Sequence, residues 1–436
     1  MLTTLRNAFK VKDIRDRLLF TFLMLLVIRL GSQLPVPGVN RDYLANFFAQ
    51  QGDTFNFFSA FTGGSFEKMS IFALNITPYI TSSIIIQLLT IAIPALEEMQ
   101  KDGEDGRKKL SAITRYVTVG LALIESLAMT IGFGRQGLIP NFNFLSGLTV
   151  VVALTAGSAF LMWVGERITE KGVGNGISIV LMINILSRIP SDLYTLYDSF
   201  IHNKSLAKGA LAAVIILAII ALTVVLVIVL SDATRRIPVQ YAKKMQGRKM
   251  VGGQQTFIPL KVNTAGVIPV IFASSLLSMP SMIASFMKIN GEGVGATIIG
   301  ILNQNNWFNP DRPVYSIGLV LYVAMIIGFA YFYTSITFNP IEVADNMKKQ
   351  GGFIPGIRPG KPTTDYLNRI LNYIVLIGAL GLTIVVLIPI FFNGVFGAYV
   401  SFGGTSIIII VGVVIETINQ IESQMVVRNY KGFLSE

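Results

Sequence analysis

Residues 210–230 read ALAAVIILAIIALTVVLVIVL and contain no charged side chain. The hydrocarbon core of a bilayer is about 30 Å thick, so about 20 apolar residues in a helix are needed to cross it. This stretch meets that requirement along its whole length. It therefore predicts a transmembrane helix, and the rest of the chain can be compared with it.

The same criterion, applied outward in both directions, predicts ten spans. Only 14% of the 436 residues are charged and 52% are hydrophobic, whereas an average soluble domain is about 25% charged. We therefore expect an all-α integral membrane protein, and we exclude a soluble enzyme, a disordered protein and a fibrous protein. The approximate bounds of the spans are 18–34, 71–95, 116–134, 147–164, 173–187, 210–230, 264–287, 315–337, 371–392 and 402–418.

Lysine and arginine are distributed unequally between the two sets of loops. One set holds 26 of the 35 Lys and Arg residues and the alternate set holds 8. Because cytoplasmic loops carry the excess of positive charge, this asymmetry predicts that the N- and C-termini are both cytoplasmic. The richer set comprises segments 1–17, 96–115, 165–172, 231–263, 338–370 and 419–436.

The ten predicted spans divide into five plus five around segment 188–209, which we interpret as an external hinge loop. The N-terminal half then covers residues 1–187 and the C-terminal half residues 210–436. An odd number of spans in each half gives the halves opposite topologies, as in inverted-repeat membrane proteins.

The sequence offers little for catalysis or metal binding. It has no cysteine and one histidine, His202, which excludes thiolate sites and a histidine-rich metal cluster. PGIRPGKPT (355–363) lacks the first glycine and the Ser or Thr of a phosphate loop. GVGNG (172–176) lacks the strand that precedes a dinucleotide site, so we interpret its glycines as a tight turn or a close helix approach. We expect no enzyme, no metal and no cofactor.

Two rival function classes need ionisable or nucleophilic groups within the spans. A secondary transporter needs coupling charges, and Glu125, near the middle of the third span, is the candidate. This carboxyl group is either a proton or polar-contact site or a buried acid with a partner. An intramembrane protease needs paired acids, a Ser/Lys pair or a metal site, and none is visible in the spans.

Two positive loops are unusually long. Loop 231–263 includes RRIPVQYAKKMQGRK (235–249). Loop 338–370 contains a helix signal, with Asn339 as the cap, Pro340 at the first position and Gly351 as the stop, and continues into GGFIPGIRPG around Arg358. The orientation of the chain in the membrane explains the positive charge of these loops. Their length and their prolines, however, indicate rigid loops that dock a partner. That partner is either RNA, through its phosphates, or an acidic protein surface.

The outer loop 35–70 contains FNFFSAFTGGSF (55–66), which is aromatic but too short to span a bilayer. Exposed to water, it would be an adhesive patch. It either lies at the membrane interface as an anchor or folds back into the bundle as a re-entrant segment. The residues by themselves leave both possibilities open.

Six stretches, in order along essentially the whole chain, resemble the SecY family, the channel subunits of the bacterial protein translocase. The resemblance implies a clamshell of ten helices in two inverted halves, located in the bacterial plasma membrane, which agrees with the span count. The stretches are LPVPGVN (34–40), SIFALNITPYITSSIIIQLL (70–89), GERITEKGVGNGISI (165–179), PLKVNTAGVIPVIFASS (259–275), ADNMKKQGGFIPGIRPGKPT (344–363) and FGGTSIIIIVGVVIET (402–417).

The resemblance also implies a protein-conducting channel that passes unfolded preproteins across the membrane and releases hydrophobic segments sideways into the bilayer. An apolar ring would exclude water yet grip no particular sequence. Carried over by matching motif, the ring comprises Ile76, Ile80, Leu181, Ile271 and Ile409, with Leu181 at a position where isoleucine is common.

A plug and a lateral gate are implied as well. The plug corresponds to about residues 54–68. The gate lies between the second and seventh spans, with the third alongside. The plug residues are Phe57, Phe58, Phe61, Gly63, Gly64 and Phe66, and the gate residues are Thr81, Gln87, Glu125, Ser278 and Met279.

The implied partners are SecE and SecG, the SecA ATPase, the ribosome with its RNA, preproteins with their signal sequences, and membrane lipids. SecA or the ribosome would drive transport from the cytoplasmic loops. The implied docking residues are Arg235, Arg236, Lys243, Lys244, Arg248, Lys249 and Arg358.

Overall fold

A computed structural model describes residues 9–40, 43, 62–140, 142–202, 206–241, 244–246, 249–251, 255–287, 294–308, 313–396 and 404–432. Most of these residues are helical, with a few short strands. The helices are α1 Lys12–Gly31, α2 Thr77–Ala92, α3 Pro94–Lys101, α4 Gly103–Phe133, α5 Phe144–Lys171, α6 Gly176–Phe200, α7 Leu206–Asp232, α8 Ile268–Met287, α9 Val294–Leu302, α10 Ser316–Thr337, α11 Pro340–Lys349, α12 Lys361–Phe396 and α13 Gly404–Gly432. The strands are β1 Thr234–Tyr241, β2 Lys244–Gln246, β3 Lys249–Val251, β4 Gln255–Lys261 and β5 Gly352–Phe353.

The helices have the length and composition of membrane spans. Within the described residues, seven are long and apolar enough to cross a bilayer, and up to eight if the bent pair α2 and α3 is one span. Helix α8 adds a shorter apolar stretch, Ile268–Ser278. The prediction of a helical membrane protein is confirmed, while the count of ten spans and the orientation of the termini stay predictions.

The predicted second span, 71–95, is shorter as a helix. Helix α2 begins at Thr77 and ends at Ala92, and α3 departs from it at 104°. Ile93 between them is extended, with φ −114° and ψ 110°, because the ring of Pro94 disfavours the helical conformation of the residue before it. The proline thus ends the span and turns the chain aside.

The segment interpreted as an external hinge loop is partly helical. Helix α6 runs from Gly176 through Pro190 to Phe200, with Asp192 and Leu196 buried. The helix therefore continues well beyond residue 187, where the predicted fifth span ended, and part of this continuation is buried in the protein. A loop over all of residues 188–209 is therefore wrong in its first part.

The helices form two groups in sequence order. In the first, α1, α2, α4, α5 and α6 contact one another; in the second, α7, α8, α10, α12 and α13 do so. Helix α6 contacts α7 and α13 of the second group, and α4 makes a smaller contact with α8. The two groups thus contact each other in two places, which we call seams: α6 with α7 and α13, and α4 with α8.

The two long loops fold against each other. Strands β1 and β4 pair antiparallel with Ile237 opposite Ile258, and β5 pairs with the end of β1, giving the order β4-β1-β5. Ile237 and Val239 alternate inward along β1, as expected of a strand. We call residues 234–241, 255–261 and 340–367 the platform; its buried core comprises Ile237, Val239, Leu260, Ala344, Met347, Ile354 and Leu367.

The helix predicted in loop 338–370 is confirmed as α11. The side-chain oxygen of Asn339 accepts hydrogen bonds from the backbone N–H groups of Ile341, at 3.1 Å, and Glu342, at 3.4 Å. Gly351 follows the helix with φ +73°, a left-handed conformation that suits glycine. The short strands were not predicted, since the alternating apolar residues of loop 231–263 were not considered beside its charge.

Candidate functional site

The five residues proposed for the ring lie in one hydrophobic cluster. Ile76, Leu181 and Ile409 are buried in it, and Ile80 and Ile271 pack against it half-buried. Ile76 and Ile80 stand at the start of α2, Leu181 in α6, Ile271 in α8 and Ile409 in α13. Two helices from each group of five therefore contribute to the same apolar centre.

A buried group of hydrogen-bonded polar residues, Asn75, Ser158 and Asn184, adjoins the part of this cluster that α2 and α6 contribute. We call this group the node. Asn75 has φ +53°, a left-handed conformation that asparagine tolerates better than most residues. Its side-chain oxygen accepts from Nδ2 of Asn184 at 2.9 Å, and its carbonyl accepts from the hydroxyl of Ser158 at 3.0 Å. Asn184 lies one turn beyond Leu181, so the node holds the start of α2 against α6.

Sequence reasoning missed this node. A signal was present in NITPYI (75–80), where Asn75 comes two residues before Thr77, the first residue of α2, and three before Pro78. Such a spacing suits the start of a helix after a non-helical residue. The partner at Asn184, however, lies 109 positions away along the chain, and no local pattern identifies it.

A cavity of about 750 Å³ adjoins the ring. Ile80, Leu181, Ile271 and Ile409 line it, together with residues of both helix groups. We call this cavity the vestibule. Its charged lining residues are Arg115, Glu166, Glu170, Lys261 and Glu416.

An ion pair joins two walls of the vestibule. Nε of Arg115, on α4, lies 2.7 Å from Oε1 of Glu166, on α5. The carboxylate is the more buried partner, with 16% of its side chain exposed against 47% for the arginine. No motif in the sequence indicates this pair, because its members lie 51 positions apart. The vestibule therefore combines charged side chains of both signs with the apolar cluster that contains the five proposed ring residues.

The proposed gate residues lie on the facing elements without bonding to each other. Thr81 donates to the carbonyl of Thr77 within α2, at 3.1 Å, and Gln87 lines the vestibule. Ser278 is half-buried on α8, and nothing is described of the side chain of Met279. Among the described hydrogen bonds, none joins any two of these residues. At this seam α8 touches α4 more than α2.

Glu125 is half-buried on α4. Its carboxyl group was predicted to be either a proton or polar-contact site or a buried acid with a partner. In the part of the chain that the structure describes, no hydrogen bond or ion pair of this carboxyl group is found. The carboxyl group therefore has no described partner that would favour the second alternative.

The proposed plug is described only over its last part. Phe57, Phe58 and Phe61 lie outside the described residues. Gly63 and Gly64 have φ of +62° and +79°, and Phe66 is buried in a cluster with Met69, Phe133 and Leu154. Protein thus covers this part, which is the condition for re-entrant backbone at membrane depth.

Three of the proposed docking cations, Arg235, Arg236 and Arg358, are described as exposed. Arg235 and Arg236 project from β1. Arg358 stands between Gly356, with φ +83°, and Gly360, with φ +102°. Lys244 and Lys249 belong to the short hairpin β2–β3, whereas Lys243 and Arg248 lie outside the described residues. The structure therefore places Arg235, Arg236 and Arg358 on the platform.

The two alternatives offered for GVGNG, a tight turn or a close helix approach, occur together. The backbone N–H of Val173 donates to the hydroxyl of Thr21 at 3.1 Å. Gly174 has φ +80°, and a Cβ there would lie 2.8 Å from the hydroxyl oxygen of Thr417. The turn thus packs between α1 and α13, at one junction of the two helix groups.

Comparisons with known proteins identify relatives of this chain in sequence and in fold. A sequence model described as SecY matches residues 70–418. The chain is 45% identical to the protein translocase subunit SecY of Halalkalibacterium halodurans, over 100% of both chains. It is also similar in fold to a SecY structure in which a plug domain stabilises the closed state of the translocation channel and maintains a membrane seal. That structure has a TM-score of 0.64 at 16% identity, and 95% of this chain and 93% of the other are covered.

A further similar structure is Sec61 in the canine ribosome–channel complex from the endoplasmic reticulum. Its TM-score is 0.59 at 15% identity, with 95% of this chain and 93% of that chain covered. At such identities the two structures establish a common fold and nothing finer.

Proposed function

Since the chain belongs to the SecY family, and is thereby a translocase channel subunit of the plasma membrane, we propose that its five-residue ring is the constriction through which unfolded preproteins pass. Membership of this channel family supports neither the secondary transporter nor the intramembrane protease. It leaves open which residues form the pore and its gates.

The convergence of Ile76, Ile80, Leu181, Ile271 and Ile409 carries this proposal. These residues come from both halves of the chain, yet they belong to one apolar cluster that borders the vestibule. A dry ring of aliphatic side chains resists the passage of ions but makes no hydrogen bond that would retain a moving chain. A substrate of arbitrary sequence can therefore slide through.

Two further gates complete the proposal. The seam of α2 and α4 with α8, carrying Thr81, Gln87, Glu125, Ser278 and Met279, is the lateral gate through which apolar segments enter the lipid. Such a segment gains about 25 cal/mol for each Å² of apolar surface that leaves water. Segment 54–68 is the plug, in line with the plug domain of the related SecY structure.

The platform is proposed as the docking surface for the partners that drive transport. Its exposed arginines suit an acidic protein surface, such as that of SecA, or ribosomal RNA. The related Sec61 structure is a ribosome–channel complex, which supports the ribosome as one partner. SecE and SecG are the expected companion subunits in the membrane.

The chain itself is proposed to catalyse nothing, since a channel subunit needs no reaction of its own and the energy for transport comes from the docked partner. We also propose that residues 1–187 and 210–436 act as two halves, linked by the region between them. The contacts of α6 with α7 and α13 then form the closed side of a clamshell, and the α4–α8 seam forms its opening side.

Site-specific cross-linking tests the pore assignment directly. The chain has no cysteine, so a single cysteine at Ile271 or Ile409 is the one reactive thiol in this subunit. A preprotein arrested during translocation, with a photo- or thiol-reactive probe in its middle, should cross-link to either position.

Leu217 on α7 provides the matched control, because 66% of its side chain is exposed on the outer surface of the bundle. A cysteine there should react little with an arrested translocating chain. Equal yields at Leu217 and at the ring positions would contradict the pore assignment.

A further inference from the structure

The side chains of the five proposed ring residues are aliphatic, so they contact their neighbours through apolar surface alone. Apolar attraction has no preferred direction, and it therefore holds side chains together without fixing where each one lies. A ring that seals by its width needs helices held at a fixed distance and rotation. Directional bonds for this purpose must come from residues next to the ring.

In the first group of helices, the node supplies such bonds. Asn75 immediately precedes Ile76, and Asn184 lies one turn beyond Leu181. Nδ2 of Asn184 donates to Oδ1 of Asn75 at 2.9 Å, and both residues are buried; we call them the amide pair. The hydroxyl of Ser158 on α5 donates to the carbonyl of Asn75 at 3.0 Å. The node thus ties the start of α2 to α5 and α6, next to two ring residues.

In the second group, a buried pair of hydroxyl groups has the corresponding place. Ser274 lies one turn beyond Ile271 on α8, and its hydroxyl lies 2.9 Å from that of Tyr322 on α10. Both residues are only 1% exposed; we call them the hydroxyl pair. The ring of Tyr322 also packs against that of Trp307, with centroids 5.1 Å apart, and Nε1 of Trp307 donates to the carbonyl of Ile301 at 2.7 Å. The tyrosine is therefore held in place, and it ties α8 to α10.

The ring residue of α13, Ile409, provides a contrast. Ser406 lies one turn before it and is 1% exposed, yet its hydroxyl has no hydrogen-bond partner among the described residues. Ser406 and Ser274 are thus both buried serines one turn from a ring isoleucine, and of the two only Ser274 is bonded to another helix. The chain itself therefore contains a control for the loss of a buried hydroxyl.

We propose that the Asn75–Asn184 pair and the Ser274–Tyr322 pair are positioning residues of the constriction, one pair in each half of the chain, and that they set how tightly the closed ring excludes ions. The proposal rests on the ring assignment above and deepens it. Because the four polar residues are buried, they act through the ring residues next to them and do not form the surface of the pore.

Burial makes these bonds suitable for positioning. A hydrogen bond in apolar surroundings is costly to break, because neither group gains a bond to water in exchange. Each pair therefore resists sliding and rotation of its helices in a way that apolar contacts do not. Both pairs join helices of the same half, α2 with α6 and α8 with α10. Opening between the halves then leaves both bonds intact.

The test measures the resting ion conductance of the purified channel complex, with its companion subunits, in planar bilayers, together with its thermal unfolding midpoint. Ser274→Ala and Tyr322→Phe each remove one hydroxyl with little change in shape. Each should raise the conductance about fivefold, in line with the loss of one hydrogen bond. Each should also lower the unfolding midpoint, because the remaining buried hydroxyl has lost its partner.

The double variant Ser274→Ala/Tyr322→Phe separates positioning from stability. It leaves neither hydroxyl of the pair buried without a partner, so the unfolding midpoint should return close to the wild-type value. The bond is still absent, so the conductance should stay raised about fivefold. A conductance that returns to wild type together with the midpoint would show a role in stability alone and would overturn the proposal.

The amide pair is tested in the same way with Asn75→Gly and Asn184→Ala. Residue 75 has φ +53°, and glycine keeps this left-handed backbone while it removes the side-chain amide. Each variant should raise the conductance about fivefold, and the two together should give no more than one alone. One change in each half, Tyr322→Phe with Asn184→Ala, should instead give about 25-fold, because separate sites add in free energy.

Ser406→Ala is the matched control and should leave the conductance at the wild-type value. Equal conductance in Ser406→Ala and Ser274→Ala would overturn the proposal, as would wild-type conductance in all four single variants of the two pairs. The ring assignment is tested separately by Ile80→Asp combined with Ile409→Asp. If that carboxylate variant conducts and the pair variants do not, only the positioning role fails; if the carboxylate variant does not conduct, the ring assignment itself fails.

Discussion

The proposed ring and the platform differ in where their residues come from in the chain, in their burial and in their polarity. The ring draws on four helices from both halves of the chain and has no described side-chain hydrogen bond of its own. The platform comes from two loops of one half, has its own buried core, and presents exposed arginines on a paired sheet. The ring residues are apolar and largely buried, whereas the arginines of the platform are charged and exposed.

This difference assigns separate tasks to the two regions. A ring without specific bonds can seal around any sequence but cannot recognise a partner. A rigid exposed loop can recognise a partner but cannot seal. Changes in the ring should therefore alter leak and leave docking intact, and changes in the platform should do the reverse. The following four predictions test this separation.

The largest effect is expected from carboxylates in the ring. Ile80→Asp combined with Ile409→Asp should raise the ion conductance of the resting channel by at least about a hundredfold, because a buried carboxylate retains water around it. Each single variant should leak less than the double variant. The measurement is single-channel or macroscopic current in planar bilayers.

Ile409→Val is the matched control, because it keeps an apolar β-branched side chain at the same position and should stay closed. SecA binding to the double variant should be unchanged, since the platform is untouched. A double variant that does not conduct would remove these residues from the constriction.

The second prediction concerns Arg358. Arg358→Glu should lower SecA-driven, ATP-dependent translocation into proteoliposomes about tenfold or more, because a guanidinium held in a rigid turn makes bidentate contacts to carboxylates. Arg358→Lys should recover only part of the rate. Closed-channel conductance should match that of the wild type.

Arg369→Glu provides the control for charge alone, since Arg369 is exposed near the start of α12, eleven residues after Arg358. If Arg358 and Arg369 only help to set the orientation of the chain in the membrane, the two glutamate variants should translocate at the same rate. If Arg358→Glu shows wild-type translocation and wild-type SecA-stimulated ATPase activity, Arg358 serves only as one of the positive charges that set the orientation of the chain in the membrane.

The third prediction concerns the core of the platform. Ile237→Val removes one buried methylene group and should destabilise the sheet by about 1 kcal/mol. Amide exchange of β1 and β4 should then quicken about fivefold in hydrogen-exchange mass spectrometry, with leak unchanged. Phe257→Leu, on the exposed side of the same sheet, should have little effect, and faster exchange throughout the helices would contradict an independent platform core.

These regions also differ in how far the sequence predicts them. Apolar length and positive loops predict the helical membrane architecture, because the bilayer imposes both. The cap at Asn339 and the turn at 172–176 were predicted from local rules. The Asn75–Asn184 node, the Arg115–Glu166 pair and the β1–β5 pairing were not, because each joins residues far apart in the chain.

The smallest effect is expected from the glycines of the Arg358 turn. Gly356 has φ +83°, and a Cβ there would meet nothing within 4 Å. Gly356→Ala thus adds no clash and only backbone strain, about 1–2 kcal/mol for a left-handed residue. The turn can relax by moving Arg358, so SecA-driven translocation should fall about twofold to threefold at constant SecA concentration.

Gly38 is the matched control for this strain. Its φ is +79° and a Cβ there would also meet nothing within 4 Å, but it lies in the predicted outer loop, away from the platform. Gly38→Ala should therefore carry a similar conformational strain without slowing translocation. If both alanine variants slow it equally, the loss reflects strain in general; if only Gly356→Ala does, the shape of the turn determines how Arg358 meets its partner.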